Sequence, residues 1–304
     1  MVAREVELCL PASTSNCGPG FDTLSIGLAL YNFCRLRRQE GPYRVEGLGE
    51  QATDLVERGR RTADLFFART GVEPFAFEIE LWGEVPGERG LGSSATVYGG
   101  VLLGLNALCG NPLGPHDCVR ELTRLDNAPD NVCALVRGGF CVSRTDPESG
   151  EYLDSFRFPV TEELSLVVAA PETRVSTPLA RQVLPDMLPF EEVVKSLNGL
   201  AYLVGAFAKQ DYERLRGTTR DAIHQPFRKT LNPFVDEAIH AGVTAGAYAG
   251  WLSGSGSSVV CASPRESALE VRAAMEEVYR EHGIHCRMMA LAVDNNGARV
   301  VESA

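Results

Sequence analysis

Between Val2 and Leu10 the apolar residues fall on even positions, at Val2, Val6, Leu8 and Leu10, and the run stops at Pro11. That period of two predicts a half-buried first strand ending at the proline. Leu24, Ile26, Leu28 and Leu30 repeat the period and predict a second strand, separated from the first by a polar, glycine-rich loop. Leu55, Val56, Ala63, Phe66 and Phe67 form an interrupted helical stripe over residues 52–70, and Phe75, Phe77, Ile79 and Leu81 alternate as a third strand. The segment Gly83 to Gly92 is rich in glycine and charge, whereas Ser93 to Leu108 carries almost none, which predicts a buried helix.

Shorter helices are expected at 115–125 and 130–136, then a strand over 139–143, a turn over 145–150 (TDPESG) and a returning strand. Residues 164–170 (LSLVVAA) suit an inner strand, 191–207 and 265–281 have helical periodicity, and 284–293 returns to strand composition. Strands and helices without a regular βαβ rhythm predict an α+β protein. A boundary within 155–163 divides the chain into units 1–158 and 159–304.

The 304 residues hold 29 Lys plus Arg against 40 Asp plus Glu, a formal charge of −11. An acidic chain of this size, 44% hydrophobic, has ample core and argues against nucleic acid or an anionic membrane as partner. Nine cysteines are scattered with no Cys-x-x-Cys pair, which fits reduced thiols in the cytoplasm better than a disulfide framework or zinc site. No export signal or membrane-spanning run is expected.

Three glycine-serine loops carry the candidate chemistry. The strongest runs from Pro86 to Ala95 (PGERGLGSSA) and enters the uncharged helix directly. Free N–H groups at such a junction, helped by the helix dipole, bind phosphate, and Ser93 and Ser94 add hydroxyls for phosphate or magnesium. The loop is neither a Walker A sequence nor a dinucleotide fingerprint, and a serine cap joined by glycine linkers would explain it equally well. In the second loop, Pro11 to Asp22 (PASTSNCGPGFD), Asn16 and Asp22 offer an amide and a carboxylate for an ammonium or hydroxyl group, although both types also favour turns. The third, Leu252 to Ser258 (LSGSGSS), opens onto a strand or is only a tight turn.

The order and wording of these loops resemble the three signature motifs of the GHMP kinases, the family of galactokinase, homoserine kinase, mevalonate kinase and phosphomevalonate kinase. PASTSNCGPGFD and PGERGLGSSA resemble the first two motifs as homoserine kinases write them. Thr177 to Pro185 (TPLARQVLP) and Asp221 to Arg228 (DAIHQPFR) resemble two further stretches of that branch. The resemblance runs from about residue 4 to about 262. It implies a two-domain GHMP kinase fold, with an N-terminal ribosomal-protein-S5-like α/β domain and a C-terminal ferredoxin-like α+β domain. ATP and substrate would lie between the domains, the first two loops belonging to the first domain and Arg181, Arg228 and the third loop to the second.

The implied activity is ATP-dependent phosphorylation of the side-chain hydroxyl of L-homoserine, a step of threonine biosynthesis, with magnesium. The resemblance places Pro86, Arg89, Gly90, Leu91, Gly92, Ser93, Ser94 and Ala95 around the triphosphate, and Gly254, Ser255 and Gly256 complete the cradle. Ser94 and Asp126 would hold magnesium. Asn16, Asp22 and Asn131 would meet the substrate's ammonium and hydroxyl, and Arg181 and Arg228 its carboxylate, for which a guanidinium fork is well shaped. Asp22 and Asn131 are the catalytic candidates, acting by position because no strong base stands in the motifs. A homodimer is common in the family. His224 reads as a scaffold histidine, and His282, His285 and Cys286 as structural.

One site departs from the pattern. Where the family commonly reads Glu-Gly-His-Pro-Asp-Asn, this chain reads Asp126-Asn-Ala-Pro-Asp-Asn131. The shorter acid and the replacement of His by Ala128 leave open another acceptor, such as threonine or serine, or a homologue that binds nucleotide without turnover.

Overall fold

The computed structural model describes residues 4–48 and 52–303, so Val2 lies outside the described residues. Two sheets organise the chain. The first has seven strands: β1 (Glu5–Ser15), β2 (Leu24–Arg38), β3 (Val45–Leu48), β4 (Phe77–Gly83), β5 (Phe140–Thr145), β6 (Tyr152–Phe158) and the final strand β11 (Arg299–Ser303). Its main path runs β11-β1-β2-β4-β3, with β5 pairing β2 and β6; only β3 and β4 run parallel among these pairs. The second sheet is antiparallel, in the order β10-β7-β9-β8, from β7 (Leu164–Pro171), β8 (Ala249–Leu252), β9 (Val259–Pro264) and β10 (Cys286–Leu291).

Contrary to the expectation, β1 does not stop at Pro11. It continues to Ser15 through a register shift, Pro11 facing Tyr31 and Ala12 facing Leu28. A proline lacks the ladder N–H, and an irregularity is where a strand tolerates that loss. The chemistry-bearing loop is correspondingly shorter, and Ser13, Thr14 and Ser15 are buried strand residues. β2 likewise outruns the apolar pattern that ended at Leu30. Buried Asn32 interrupts the pattern, and its amide is satisfied by the Thr96 hydroxyl (2.9 Å) and the Val85 N–H (3.1 Å).

Helices α1 (Ala52–Thr70), α2 (Ser93–Leu108), α3 (Pro115–Asp126) and α4 (Pro129–Arg137) bury a core against the first sheet, formed by Leu10, Cys34, Phe66, Phe77, Val101 and Leu122 among others. The uncharged helix over 93–108 is the element the sequence predicts. A second core joins the two sheets: Leu24, Ile26 and Leu28 of β2 pack with Leu166, Val168, Trp251 and Val260, and with Phe207 of α6 (Phe190–Lys209). Phe140 and Phe207 stack across it with centroids 4.1 Å apart. The outer face of the second sheet is covered by α8 (Val235–Thr244) and α9 (Ala268–Glu281). Two short helices, α5 (Thr177–Gln182) and α7 (Gln225–Arg228), carry arginines to the seam.

Five elements, β3, α5, α8, β8 and β11, have no counterpart in the sequence reading. The pairing of β11 with β1 returns the end of the chain to the first sheet, whereas the division at 158/159 counts that segment with the second unit. Among the described residues no helix is long and apolar enough to cross a membrane.

Candidate active site

The three glycine-serine loops meet. Gly92 precedes α2 in the left-handed region (φ 73°), no side chain caps the helix, and its first turn holds no acid. The uncapped N–H groups and the helix dipole together favour an anion at this end. Gly90 (φ +68°) lies so close to the third loop that an added Cβ would stand 2.0 Å from the Ser253 carbonyl oxygen. The Ser253 hydroxyl donates to the Gly90 carbonyl (2.6 Å), and the Ser258 N–H to the Arg89 carbonyl (3.2 Å). The Ser13 N–H donates to the Leu91 carbonyl (3.1 Å), and the Gly254 N–H to the Ser15 carbonyl (3.3 Å). The Pro86–Ala95 loop is thus pinned between β1 and the Leu252–Ser258 loop.

Asn131, in the first turn of α4, faces the same strand. Its Oδ1 accepts from the Ser13 hydroxyl at 2.8 Å, and its Nδ2 donates to Ser15 Oγ at 3.2 Å. Asn16 is buried with its Nδ2 on the Gly254 carbonyl (3.1 Å) and its Oδ1 accepting from the Asp22 N–H (3.0 Å). The amide therefore ties the Pro11–Asp22 loop to the Leu252–Ser258 loop; its oxygen keeps one lone pair for a ligand.

Arg181 and Asp22 form a bidentate pair, with both N–O distances 3.0 Å. Burial works against the Arg181 charge, but the bond to Asp22, with Asp130 and Asp126 nearby, outweighs it and raises its pKa. Arg228 is only 2% exposed and donates to the Ala180 carbonyl (3.0 Å) and the Gly254 carbonyl (2.9 Å). Burial lowers its pKa to about 10, against the opposing pull of Asp22. Both guanidiniums lie over the Phe21 ring, 5.6 and 5.0 Å from its centroid. A cluster of two arginines and one carboxylate is complementary to a zwitterion: the carboxylate of an amino acid matches the arginines and its ammonium matches Asp22.

Residues 55–139 match the family described as GHMP kinases N terminal domain, and residues 203–281 match GHMP kinases C terminal. Homoserine kinase of Moorella thermoacetica is 36% identical over 96% of this chain and 98% of its own length. Homoserine kinase of Carboxydothermus hydrogenoformans is 34% identical over 95% and 94%. The chain belongs to the GHMP kinases, in their homoserine kinase branch. The crystal structure of homoserine kinase from Cytophaga hutchinsonii superposes with a TM-score of 0.89 at 26% identity, covering 99% of this chain and 98% of that one. Lactococcus lactis galactokinase, 13% identical with a TM-score of 0.68, shares the fold.

Within this GHMP kinase architecture the remaining expected residues divide. Ser93 and Ser94 are half-buried at the start of α2, Gly254 lies against Gly90 and Ser15, Gly256 lies against Gly90 and Asn232, and the Ser255 carbonyl accepts from Asn232 Nδ2 (3.5 Å). Leu91 and Ala95 have buried side chains, so only their backbone can reach a ligand. Pro86 is half-buried in the approach to Gly90. Arg89 donates from its guanidinium to the Glu172 carbonyl (2.7 Å). Burial raises the Asp126 pKa, opposed by a bond to the Ser94 hydroxyl and by the charges of Arg58 and Arg181.

Magnesium is a hard ion that kinases hold with one or two carboxylates plus phosphate oxygens. Among the described residues no group of three or more His, Cys, Asp or Glu is placed to hold a metal unaided. The Ser94 hydroxyl and the adjacent half-buried Asp126 carboxylate suit an ion brought in by a nucleotide.

Asp130 was not singled out from the sequence. It is 2% exposed beside Asn131, whose N–H it accepts at 2.7 Å. Burial pushes its pKa up to about 7, the charges of Asp22 and Asp126 adding to the rise while the Asn131 N–H and Ser15 hydroxyl oppose it. Perturbed carboxylates of this kind cluster at functional sites. The available signal was its place between Pro129 and Asn131, but burial, which sets its ionisation, is not written there.

His224 is fully buried, with Nε2 2.9 Å from the Gly18 carbonyl oxygen, and burial lowers its pKa; it stacks on Phe21 as scaffold. His282 pairs with Glu237 and His285 with Glu172, so the two point to different partners.

Proposed function

We propose that the chain transfers the γ-phosphoryl group of ATP to the side-chain hydroxyl of L-homoserine. The observation that carries this reading is the Asp22–Arg181 pair set beside the uncapped N-terminus of α2. One end of the seam complements an amino acid backbone, and the other complements phosphate.

Homoserine exchanges the Asp22–Arg181 pair for two: its ammonium on Asp22 and its carboxylate on Arg181 and Arg228. That anchoring leaves the hydroxyl directed to Asn131 and Asp130. The α2 N–H groups, Ser93, Ser94 and the 254–256 loop take the polyphosphate, while Ser94 and Asp126 take magnesium, which when bound neutralises charge on the phosphates. As the homoserine oxygen bonds to phosphorus and the bond to the ADP oxygen breaks, the hydroxyl loses its proton. Asp130 is the carboxylate beside Asn131 able to accept it, with Asn131 orienting the hydroxyl. Phosphoryl transfer needs alignment and charge neutralisation above all, which three mutually bonded loops supply. The reduced thiols and acidic surface suit a cytoplasmic enzyme.

Coupled ADP-release assays with homoserine, threonine and serine test the reading. Turnover should be fastest with homoserine; turnover faster with threonine or serine would move the assignment to another amino alcohol. ATP consumption no higher than background with all three, in folded protein, would overturn the activity.

A further inference from the structure

The chain has three lysines, at 195, 209 and 229, so none of the first 194 residues can bring an ammonium to a phosphate. Lys195 pairs with Glu192 and Lys229 with Asp236, both exposed pairs. Positive charge at the phosphate end must come from arginine. Arg181 and Arg228 are committed to Asp22 and to the Gly254 carbonyl, and Arg89 faces the Glu172 carbonyl.

Arg58 lies outside every motif of the sequence reading. It stands on α1, which packs beside α2, and is half-buried. Its Nε pairs with Asp54 one turn earlier at 3.0 Å, an exposed carboxylate that holds such a pair weakly. Its Nη1 reaches Ser94 Oγ at 3.4 Å, and the guanidinium lies 5.7 Å from the Tyr98 ring centroid. Asp126 feels its charge. A full positive charge therefore abuts the second residue of α2, at the positive end of a helix whose first turn holds no acid. Cations are disfavoured at a helix N-terminus. The guanidinium and the Ser94 hydroxyl meet at the end of α2 that carries the free N–H groups, and the charge type that relieves them together is an anion.

We propose that Arg58 is a catalytic residue that binds the β- and γ-phosphates of the nucleotide, exchanging its loose Asp54 and Ser94 contacts for phosphate oxygens. The inference rests on the kinase reading above and adds a residue to its phosphate end. Charge-assisted bonds to a phosphate that gains no substitute partner are worth about one to two powers of ten in affinity.

The test compares wild type, Arg58→Gln and Arg58→Lys for binding of mant-ATP and mant-AMP by fluorescence, for kcat and KM, and for thermal unfolding. In Arg58→Gln, mant-ATP affinity should fall about 10- to 100-fold while mant-AMP affinity and the unfolding temperature hold. kcat should fall as well, the homoserine KM should stay, and Arg58→Lys should restore part of the loss because it keeps charge without the fork. Equal losses for mant-ATP and mant-AMP would mean that Arg58 only shapes the loop, and unchanged mant-ATP affinity would remove it from the site; either overturns the proposal. Wild type that fails to bind mant-ATP or to turn over homoserine defeats the kinase reading instead, a result separable from any effect of the substitution.

Discussion

Replacing Asp130 with Asn removes a buried ionisation while keeping the oxygen that accepts the Asn131 N–H. In the folded chain the carboxyl titrates at about 7, raised first by burial and then by Asp22 and Asp126. An unfolded Asp titrates near 3.9. The sign follows from which state holds the proton. Between these values the folded state keeps a proton that the unfolded state has released, so stability is fullest below about pH 3.9 and is lost as pH rises through about 7. The gap corresponds to an upper bound of about 4 kcal/mol, of which roughly 2 to 3 kcal/mol falls between pH 5 and pH 8. Asn carries no such dependence. Urea unfolding of wild type and Asp130→Asn at pH 5 and pH 8 isolates this one group, because the other titrations largely cancel in the difference. The variant should gain on wild type by about 2 to 3 kcal/mol over that interval. Its kcat should meanwhile fall by about 100-fold or more if Asp130 takes the hydroxyl proton. Parallel pH–stability curves for the two proteins would refute the buried ionisation, and an unchanged kcat would refute the proton-accepting role.

Gly90→Ala places a Cβ 2.0 Å from the Ser253 carbonyl oxygen at φ +68°, so the seam must open. Calorimetry should show a melting temperature lower by several degrees, for a cost of about 1–3 kcal/mol, together with weaker nucleotide binding. Arg181→Lys keeps the charge but loses the two-pronged bond, now made to Asp22 at 3.0 Å on each side. Steady-state kinetics should show the homoserine KM up by about 10-fold with the ATP KM unchanged. Asp126→Ala removes the carboxylate beside Ser94. A magnesium titration of turnover should need about 10-fold more of the ion for half-maximal rate, and an unshifted titration would take Asp126 out of the metal site.

The sequence by itself determined the elements whose pattern is local. The uncharged run Ser93 to Leu108 is α2 to the residue, and the continuous apolar run over 164–170 is the inner strand β7. The family's motif wording also carried the kinase fold, since five short segments keep their order along the chain. What only tertiary structure decided involves polar groups with distant partners. Ser13, Thr14 and Ser15 look like loop because a buried polar strand residue is stable only when bonded. Their bonds run to Asn131, 118 residues from Ser13, and to Trp251 and Ser253, 237 and 239 residues from Thr14. The same holds for Asn16, tied to Gly254 across 238 residues.

Charge followed the same rule. Arg181 and Asp22 are two ordinary charged residues in the sequence and become one bidentate pair in the fold. Asp130 and Arg58 gained their significance from burial and from a neighbouring helix end, neither of which is a property of their own segments. Hydrophobic periodicity is written within a few residues of itself, whereas hydrogen-bond satisfaction and ionisation depend on which distant groups the chain brings within a few ångströms.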